Sequence, residues 1–255
     1  LGRWSRGLGD VYKRQGVRIL TNIQIPRRPT CYKQVLRLVV MLIVTAMGAF
    51  SYAPSAHAGS FEDLMGYESV AQDNIEVFPQ WLGVIGETES NDELAICDSD
   101  NKSARCHLKR WWEFLGSLRG QSPREQLTAV NNFVNEQKYV GDKKNYGQED
   151  YWAMPEQLMS NGGDCEDYAI MKFLSLRKLG WSTEDMRLVV VQDTRQRSQH
   201  AVLAVKADHD VLILDNQSRY IESQANVPHY APVVSMTDSR WWLHTADSQL
   251  VAANR

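Results

Sequence analysis

The stretch "GGDCEDYAIMKFLSLRKLG", residues 162–180, holds both a clear helix and a chemical contradiction. Asp164 is a natural N-cap, and Asp167 three residues on gives a carboxylate version of the capping box. Ala169, Ile170, Phe173, Leu174 and Leu176 recur at helical spacing as an apolar face. Arg177 and Lys178 suit the negative end of the helix dipole, and Gly180 stops the helix. Cys165 therefore falls at the first helical position. A cysteine attacks as its thiolate, yet Asp164, Glu166 and Asp167 surround this one with charge that disfavours the thiolate.

Working outward, the preceding segment "DKKNYGQEDYWAMPEQLMSNGG", 142–163, is polar and aromatic with glycines and a proline, and reads as a loop or short turns. Upstream of it, "SPREQLTAVNNFVNEQKYV" begins with Ser122 as N-cap, Pro123 at N1 and Glu125 at N3, and carries a stripe of Leu127, Val130, Phe133 and Val134. "RWWEFLGSLRG" spaces Trp111, Trp112, Leu115 and Leu118 as a second helix ended by Gly120, with the tryptophan pair assigned to the core. Downstream the period changes to two. "RLVVVQD", "QHAVLAVK" and "DVLILDN" are strands, and "APVVSM" and "WWLHT" add a second hairpin. Helices followed by antiparallel strands predict an α+β domain.

One hairpin has a register that can be worked out. If "QHAVLAVKADHDVLILDN" turns around Ala207 and Asp208, His200 faces Asp215 and Val202 faces Ile213. Opposed residues share a face with Cβ atoms about 5 Å apart. The mates on that face, Val202, Ala204, Val211 and Ile213, are apolar, so the His–Asp pair stands at the edge of a buried surface. Cys165 alone reads as a structural cysteine, and His200 alone as a satisfied strand histidine. Together with Asp215 they form a nucleophile, base and orienter. His107, His209, His229 and His244 have no comparably placed acid and read as surface or core.

The rest of the chain bounds the setting. Residues 1–15 contain "DVYKRQ" and read as sequencing-adapter translation; residues 16–58 are an upstream segment with a secretory signal. Arg27, Arg28, Lys33 and Arg37 lead into the apolar run Leu38–Phe50, which is short for a membrane span, and Ala56 and Ala58 fit a signal-peptidase site. Cleavage after Ala58 leaves 197 residues, one domain, with 19 basic and 30 acidic side chains. That acidity argues against nucleic acid and anionic membrane as partners and is compatible with a cation. Cys97 and Cys106 bracket a polar loop and suit a disulfide in an oxidising compartment, with a zinc site including His107 as the alternative. Asp98, Asp100 and Asn101 in that loop read as solvated.

"GGDCEDYAIMKFLSLRKLG", then "QHAVLAV", then "LDNQ", resembles the bacterial transglutaminase-like cysteine proteases, the LapG type in particular. The resemblance covers the whole chain from residue 59, and the G-D-C-E-D-Y-A core is its most specific part. It implies a papain-like, transglutaminase-like core with the catalytic cysteine at a helix N-terminus packed on an antiparallel sheet. It also implies a Cys165–His200–Asp215 triad. Such enzymes are calcium-dependent periplasmic endopeptidases. They cut a large RTX-type surface adhesin at a paired-alanine site near its N-terminus, which releases biofilm cells. The periplasmic domain of a LapD-type cyclic-di-GMP receptor inhibits them. The family's calcium-binding acids map onto Asp164 and Glu166, with Asp167 as a third. Calcium takes six to eight oxygen ligands, so these carboxylates suit it; the alternative is that they only cap the helix. Two other readings stay open on the residues, amide transfer by the same triad and a non-catalytic periplasmic binding module.

Overall fold

The computed structural model describes residues 61–90 and 104–246. The adapter, the signal segment, the Ala58 cleavage point, Cys97 and the Asp98–Asn101 cluster lie outside the described residues. Among those described, strands β1 (Asp63–Leu64), β2 (Tyr67–Gln72), β3 (Met186–Asp193), β4 (Ser198–Ala207), β5 (Asp210–Leu214), β6 (Glu222–Ser223), β7 (Tyr230–Met236) and β8 (Trp241–Ala246) form one sheet. Its order is β1-β2-β8-β7-β3-β4-β5-β6, with antiparallel neighbours throughout. The helices are α1 (Pro79–Ser90), α2 (Ala104–Ser117), α3 (Pro123–Asn135), α4 (Asp142–Asn145), α5 (Pro155–Asn161) and α6 (Cys165–Lys178).

Alternation along the strands divides the apolar side chains between two cores. Leu188, Val190, Ala201, Leu203, Val205, Leu212 and Leu214 face the helices. Val189, Val191, Val202, Ala204, Val211 and Ile213 face the other way and pack with Phe61, Leu64, Val227 and Tyr230. The sheet curls around this second core. Met65 N–H, in the β1–β2 turn, donates to Gln224 Oε1 at 2.9 Å, and Gln224 opens the 3₁₀ turn after β6. The two ends of the sheet are thereby tied together.

α6 forms where the sequence predicts it, and ends on a Schellman motif: Gly180 has φ +94°, its N–H reaches Arg177 O at 3.0 Å, and Trp181 N–H reaches Leu176 O at 3.1 Å. Its burial differs from the expected single face. Every residue from Cys165 to Leu176 is buried, because α6 lies between β3–β4 on one side and α3 and α5 on the other. The α3 capping box also forms, with Ser122 N–H donating to Glu125 Oε2 at 2.9 Å and Glu125 N–H to Ser122 Oγ at 3.4 Å. Trp111 is buried, donating from Nε1 to Ser175 Oγ at 2.9 Å, whereas Trp112 is half-buried under Lys178 Nζ, 4.3 Å from its ring.

The β4–β5 register needs a correction of two residues. Lys206 pairs with Val211 and Ala204 with Ile213, so the turn residues are Asp208 and His209, both at positive φ (51° and 65°). That is the type I′ geometry that suits the twist of a two-residue hairpin. A shift of two keeps every side chain on its face. His200 and Asp215 thus become diagonal rather than direct neighbours and still meet. β1, β2 and β6, as well as the short helices α4 and α5, were not foreseen: each spans few residues, and β2 is half-exposed with a weak pattern.

Candidate active site

The two glycines before Cys165 serve different needs. Gly162 has φ +81°, and a Cβ there would fall 2.3 Å from the Lys138 carbonyl oxygen. A Cβ on Gly163 would fall 2.2 Å from Asp167 Oδ2. The close approach at Gly162 lets Gly163 N–H donate to Lys138 O at 3.1 Å and Val140 N–H to Gly163 O at 2.8 Å. Asp167 then fixes the start of α6 from inside. Its carboxylate accepts Asp164 N–H at 3.0 Å and Ala153 N–H at 2.7 Å. Cys165 is held at the positive end of α6 with its side chain 8 % exposed.

His200 Nε2 lies 2.8 Å from Asp215 Oδ1, and both residues are buried. Asp215 is held from three further directions. Tyr230 Oη donates to Oδ2 at 2.6 Å, Gln217 N–H donates to Oδ1 at 2.8 Å, and Asn135 Nδ2 donates to the Asp215 carbonyl at 2.9 Å. Burial alone would raise the Asp215 pKa, but the imidazole and the Tyr230 and Gln217 donors lower it to about 2. Burial alone would lower that of His200. Its bond to Asp215 and the nearby Cys165 sulfur raise it to about 10. Cys165 and His200 line one cleft of about 350 Å³ with Tyr139, Gln199 and Gln217. With Nε2 engaged by Asp215, Nδ1 is the basic nitrogen; it lies 3.3 Å from Gln217 Nε2. The three residues predicted as nucleophile, base and orienter are together.

On the other side of Cys165 stands a cluster of acids. Oxygens of Asp142, Asp164 and Asp167 lie within 4.8 Å of one another, as do those of Asp142, Asp150 and Glu166, and Asp164 and Glu166 form a third such group with the Cys165 sulfur. Burial, then the neighbouring Asp164 charge, raises Asp142 to about 8. Burial raises Asp150 to about 6, partly offset by donation from Trp152 Nε1 (3.1 Å) and Gln80 Nε2 (3.2 Å). Asp164, Glu166 and Asp167 are likewise raised, by burial first. The buried Oδ1 atoms of Asp142 and Asp164 have no hydrogen-bond partner among the described residues. The Cys165 thiol donates to Glu166 Oε2 at 3.1 Å. Buried carboxylates that repel one another and keep unpartnered oxygens are suited to a hard divalent cation. Asp142 and Asp164 each keep an unpartnered oxygen, Glu166 Oε2 accepts the Cys165 thiol, the two Asp150 oxygens accept side-chain N–H groups, and Asp167, expected as a ligand, has both oxygens on backbone N–H groups.

Asp142, Asp150 and Tyr230 were missed by sequence reasoning. The two acids sit in the segment read as a loop, and their signal was only its acidic content beside the cysteine. Tyr230 carries none, since its strand was read as starting at Ala231. His244 bonds Ser235 Oγ at 2.8 Å through Nε2 and Ser69 Oγ at 3.2 Å through Nδ1, and burial lowers its pKa to about 3, in keeping with its reading as a core histidine. Cys106 is disulfide-bonded; its expected partner Cys97 lies outside the described residues.

The description "bacterial transglutaminase-like cysteine proteinase" fits residues 96–249, well over half of the chain. The chain belongs to that family. Three solved structures of Legionella pneumophila LapG share its fold. The calcium-bound form is 26% identical, with a TM-score of 0.50, covering 64% of this chain and 87% of LapG. A second LapG structure gives 27% identity and a TM-score of 0.51 over 67% of this chain and 91% of LapG. The EGTA-treated form gives 26% and 0.52 over 66% and 87%. No curated protein sequence matches the chain. Mixed helices on a curled antiparallel sheet are thus the α+β arrangement read from the residues and the transglutaminase-like architecture that the resemblance implied.

Proposed function

We propose that this chain is a calcium-dependent cysteine endopeptidase working through Cys165, His200 and Asp215. The observation that carries the reading is the buried 2.8 Å His200–Asp215 pair lining one cleft with Cys165 at the start of α6. His200 Nδ1 takes the thiol proton, and Cys165 Sγ attacks the scissile carbonyl carbon. Asp215 fixes the ring and supports the imidazolium. The Cys165 N–H at the helix start is the first donor for the oxyanion. His200 then protonates the leaving amine, and water, deprotonated by the same ring, releases the acyl group from sulfur. Asp142, Asp150, Asp164 and Glu166 would hold the calcium, and the positive charge it supplies there offsets the carboxylates that disfavour a thiolate. The calcium-bound LapG relative supports this assignment.

The setting follows the resemblance. The enzyme acts in the periplasm on the N-terminal region of a large RTX-type adhesin with a paired-alanine site, and a LapD-type cyclic-di-GMP receptor restrains it. The disulfide at Cys106 supports an oxidising compartment. The test is incubation of residues 59–255 with an adhesin fragment carrying such a site, read by mass spectrometry. Two shorter products are expected with Ca²⁺, and none in excess EGTA or with Cys165→Ala. A cross-linked mass in their place makes the reaction amide transfer, and full cleavage in EGTA removes the calcium requirement.

A further inference from the structure

A second cavity, of about 370 Å³, opens at one end of the curled sheet, where β3 and β5 end and β6 and β7 begin. Its floor is Ile213, Val227 and Tyr230, which belong to the core inside the curl. Its walls are held by hydrogen bonds. Asp193 Oδ1 accepts Arg195 N–H at 2.7 Å and Gln196 N–H at 3.0 Å, and Thr194 N–H and Oγ1 both donate to His229 O at 2.9 Å. The turn after β3 is thereby tied to the start of β7, so the cavity is formed before anything fills it. His229, in its wall, keeps Nδ1 without a partner among the described residues.

This cavity adjoins the cleft that holds Cys165. Gln196 and Gln217 line both, and Gln196 Nε2 donates to Gln217 Oε1, so a pair of exposed amides forms the partition. Cys165 and His200 stand in the cleft, and Asp215, bonded to the far nitrogen of His200, lines the second cavity. That order has a direction. His200 Nδ1 gives its proton to the leaving amine, so the part of the substrate that follows the scissile bond begins beside Nδ1. Gln217 Nε2 lies 3.3 Å from the same atom. A chain continuing past it meets the glutamine pair and then the second cavity. Each glutamine amide carries both a donor and an acceptor, which is what an extended backbone needs.

We propose that the second cavity holds the residues of the substrate polypeptide that follow the scissile bond, with Gln196 and Gln217 bonding their backbone at the crossing. The inference rests on the reading of Cys165 and His200 as nucleophile and base. The test uses Cys165→Ala in the mature chain and a peptide spanning the paired alanines, followed by NMR of the backbone amides. The amides of Val227, His229 and Tyr230 should shift, and removing the residues after the alanine pair should erase those shifts while that of Tyr139 in the cleft stays. Shifts confined to the cleft, cavity shifts that survive this truncation, or no shift at all overturn the proposal.

A second variant reads the same pocket through turnover. Asn226 is exposed on the rim, and Asn226→Trp would fill the mouth. Its cleavage of the adhesin fragment should fall about tenfold relative to its hydrolysis of an aminomethylcoumarin amide, which has no residue after the scissile bond. A ratio equal to that of the wild type overturns the proposal, and if Asn226→Trp fails to fold the NMR result decides. A wild-type protein that cleaves nothing sinks the protease reading alone, because peptide binding to Cys165→Ala stays measurable.

Discussion

The Asp167 carboxylate stands where a side chain on Gly163 would be, with Oδ2 2.2 Å from the position of that Cβ. Asp167 is fully buried, and its Cβ and Cγ lie at 2.8 and 2.9 Å from the same point, so the side chain has no room to swing aside. Gly163→Ala should therefore destabilise the domain by about 1–3 kcal/mol, the usual cost of overpacking. It should also displace Asp167 from Ala153 and Asp164 and disorder the approach to Cys165. Urea unfolding and the cleavage assay measure the two effects. A Gly163→Ala protein of wild-type stability and activity refutes this account of the glycine.

That relationship shows where sequence reasoning stopped. The double glycine reads as a turn signal, which holds for Gly162 at φ +81°. Gly163 is a glycine for a partner four residues on, visible only once α6 has formed and folded Asp167 back. The same limit hid Asp142 and Asp150. α6 was legible because local rules agree along it: N-cap, apolar spacing, dipole and glycine stop. His200 and Asp215 were legible because alternation fixes the face even when the turn is misplaced by two residues. An acidic cluster assembled from α4, the segment before α5 and the start of α6 has no period to read.

Calcium should depend on acids that are distant in sequence. Asp142→Asn, Asp150→Asn and Glu166→Gln should each weaken the rise in thermal midpoint that Ca²⁺ produces, because each removes an oxygen charge from one cluster. Asp167→Asn should lower the midpoint with and without metal, since its carboxylate accepts two backbone N–H groups. Protonation competes with the cation, and Asp142 titrates near 8 and Asp150 near 6. The Ca²⁺-induced rise should therefore be larger at pH 8 than at pH 5. A rise independent of pH, or unchanged in Asp142→Asn, argues against these ligands.

The His200–Asp215 pair sets a stability window. His200 has a folded pKa of about 10, above its usual value of 6.5, so its contribution is full below about 6.5 and fades as pH rises towards 10. Asp215 has a folded pKa of about 2, below its usual 3.8, so its contribution is full above about 4 and is lost as pH falls towards 2. The stability difference between wild type and His200→Gln should be on the order of 2 kcal/mol at pH 6 and shrink by pH 10. Denaturant unfolding at the two values checks this. An equal difference at both leaves His200 uncharged in the fold.

Tyr230 should matter more than its absence from the sequence motif suggests. Its hydroxyl is the donor to Asp215 Oδ2, at 2.6 Å, and Tyr230→Phe leaves that oxygen buried with no replacement from the ring. Losing one hydrogen bond to a buried charge costs about 1.5–3 kcal/mol, so acid unfolding should begin at higher pH. Cleavage should fall about tenfold or more, chiefly in kcat, because Asp215 acts on His200 rather than on substrate. Asp215→Asn should fall further, by up to about 10⁴, since the orienting charge itself is gone. Equal loss in the two variants means Tyr230 does more than hold the acid. No loss in Tyr230→Phe means that His200 and Gln217 suffice to hold it.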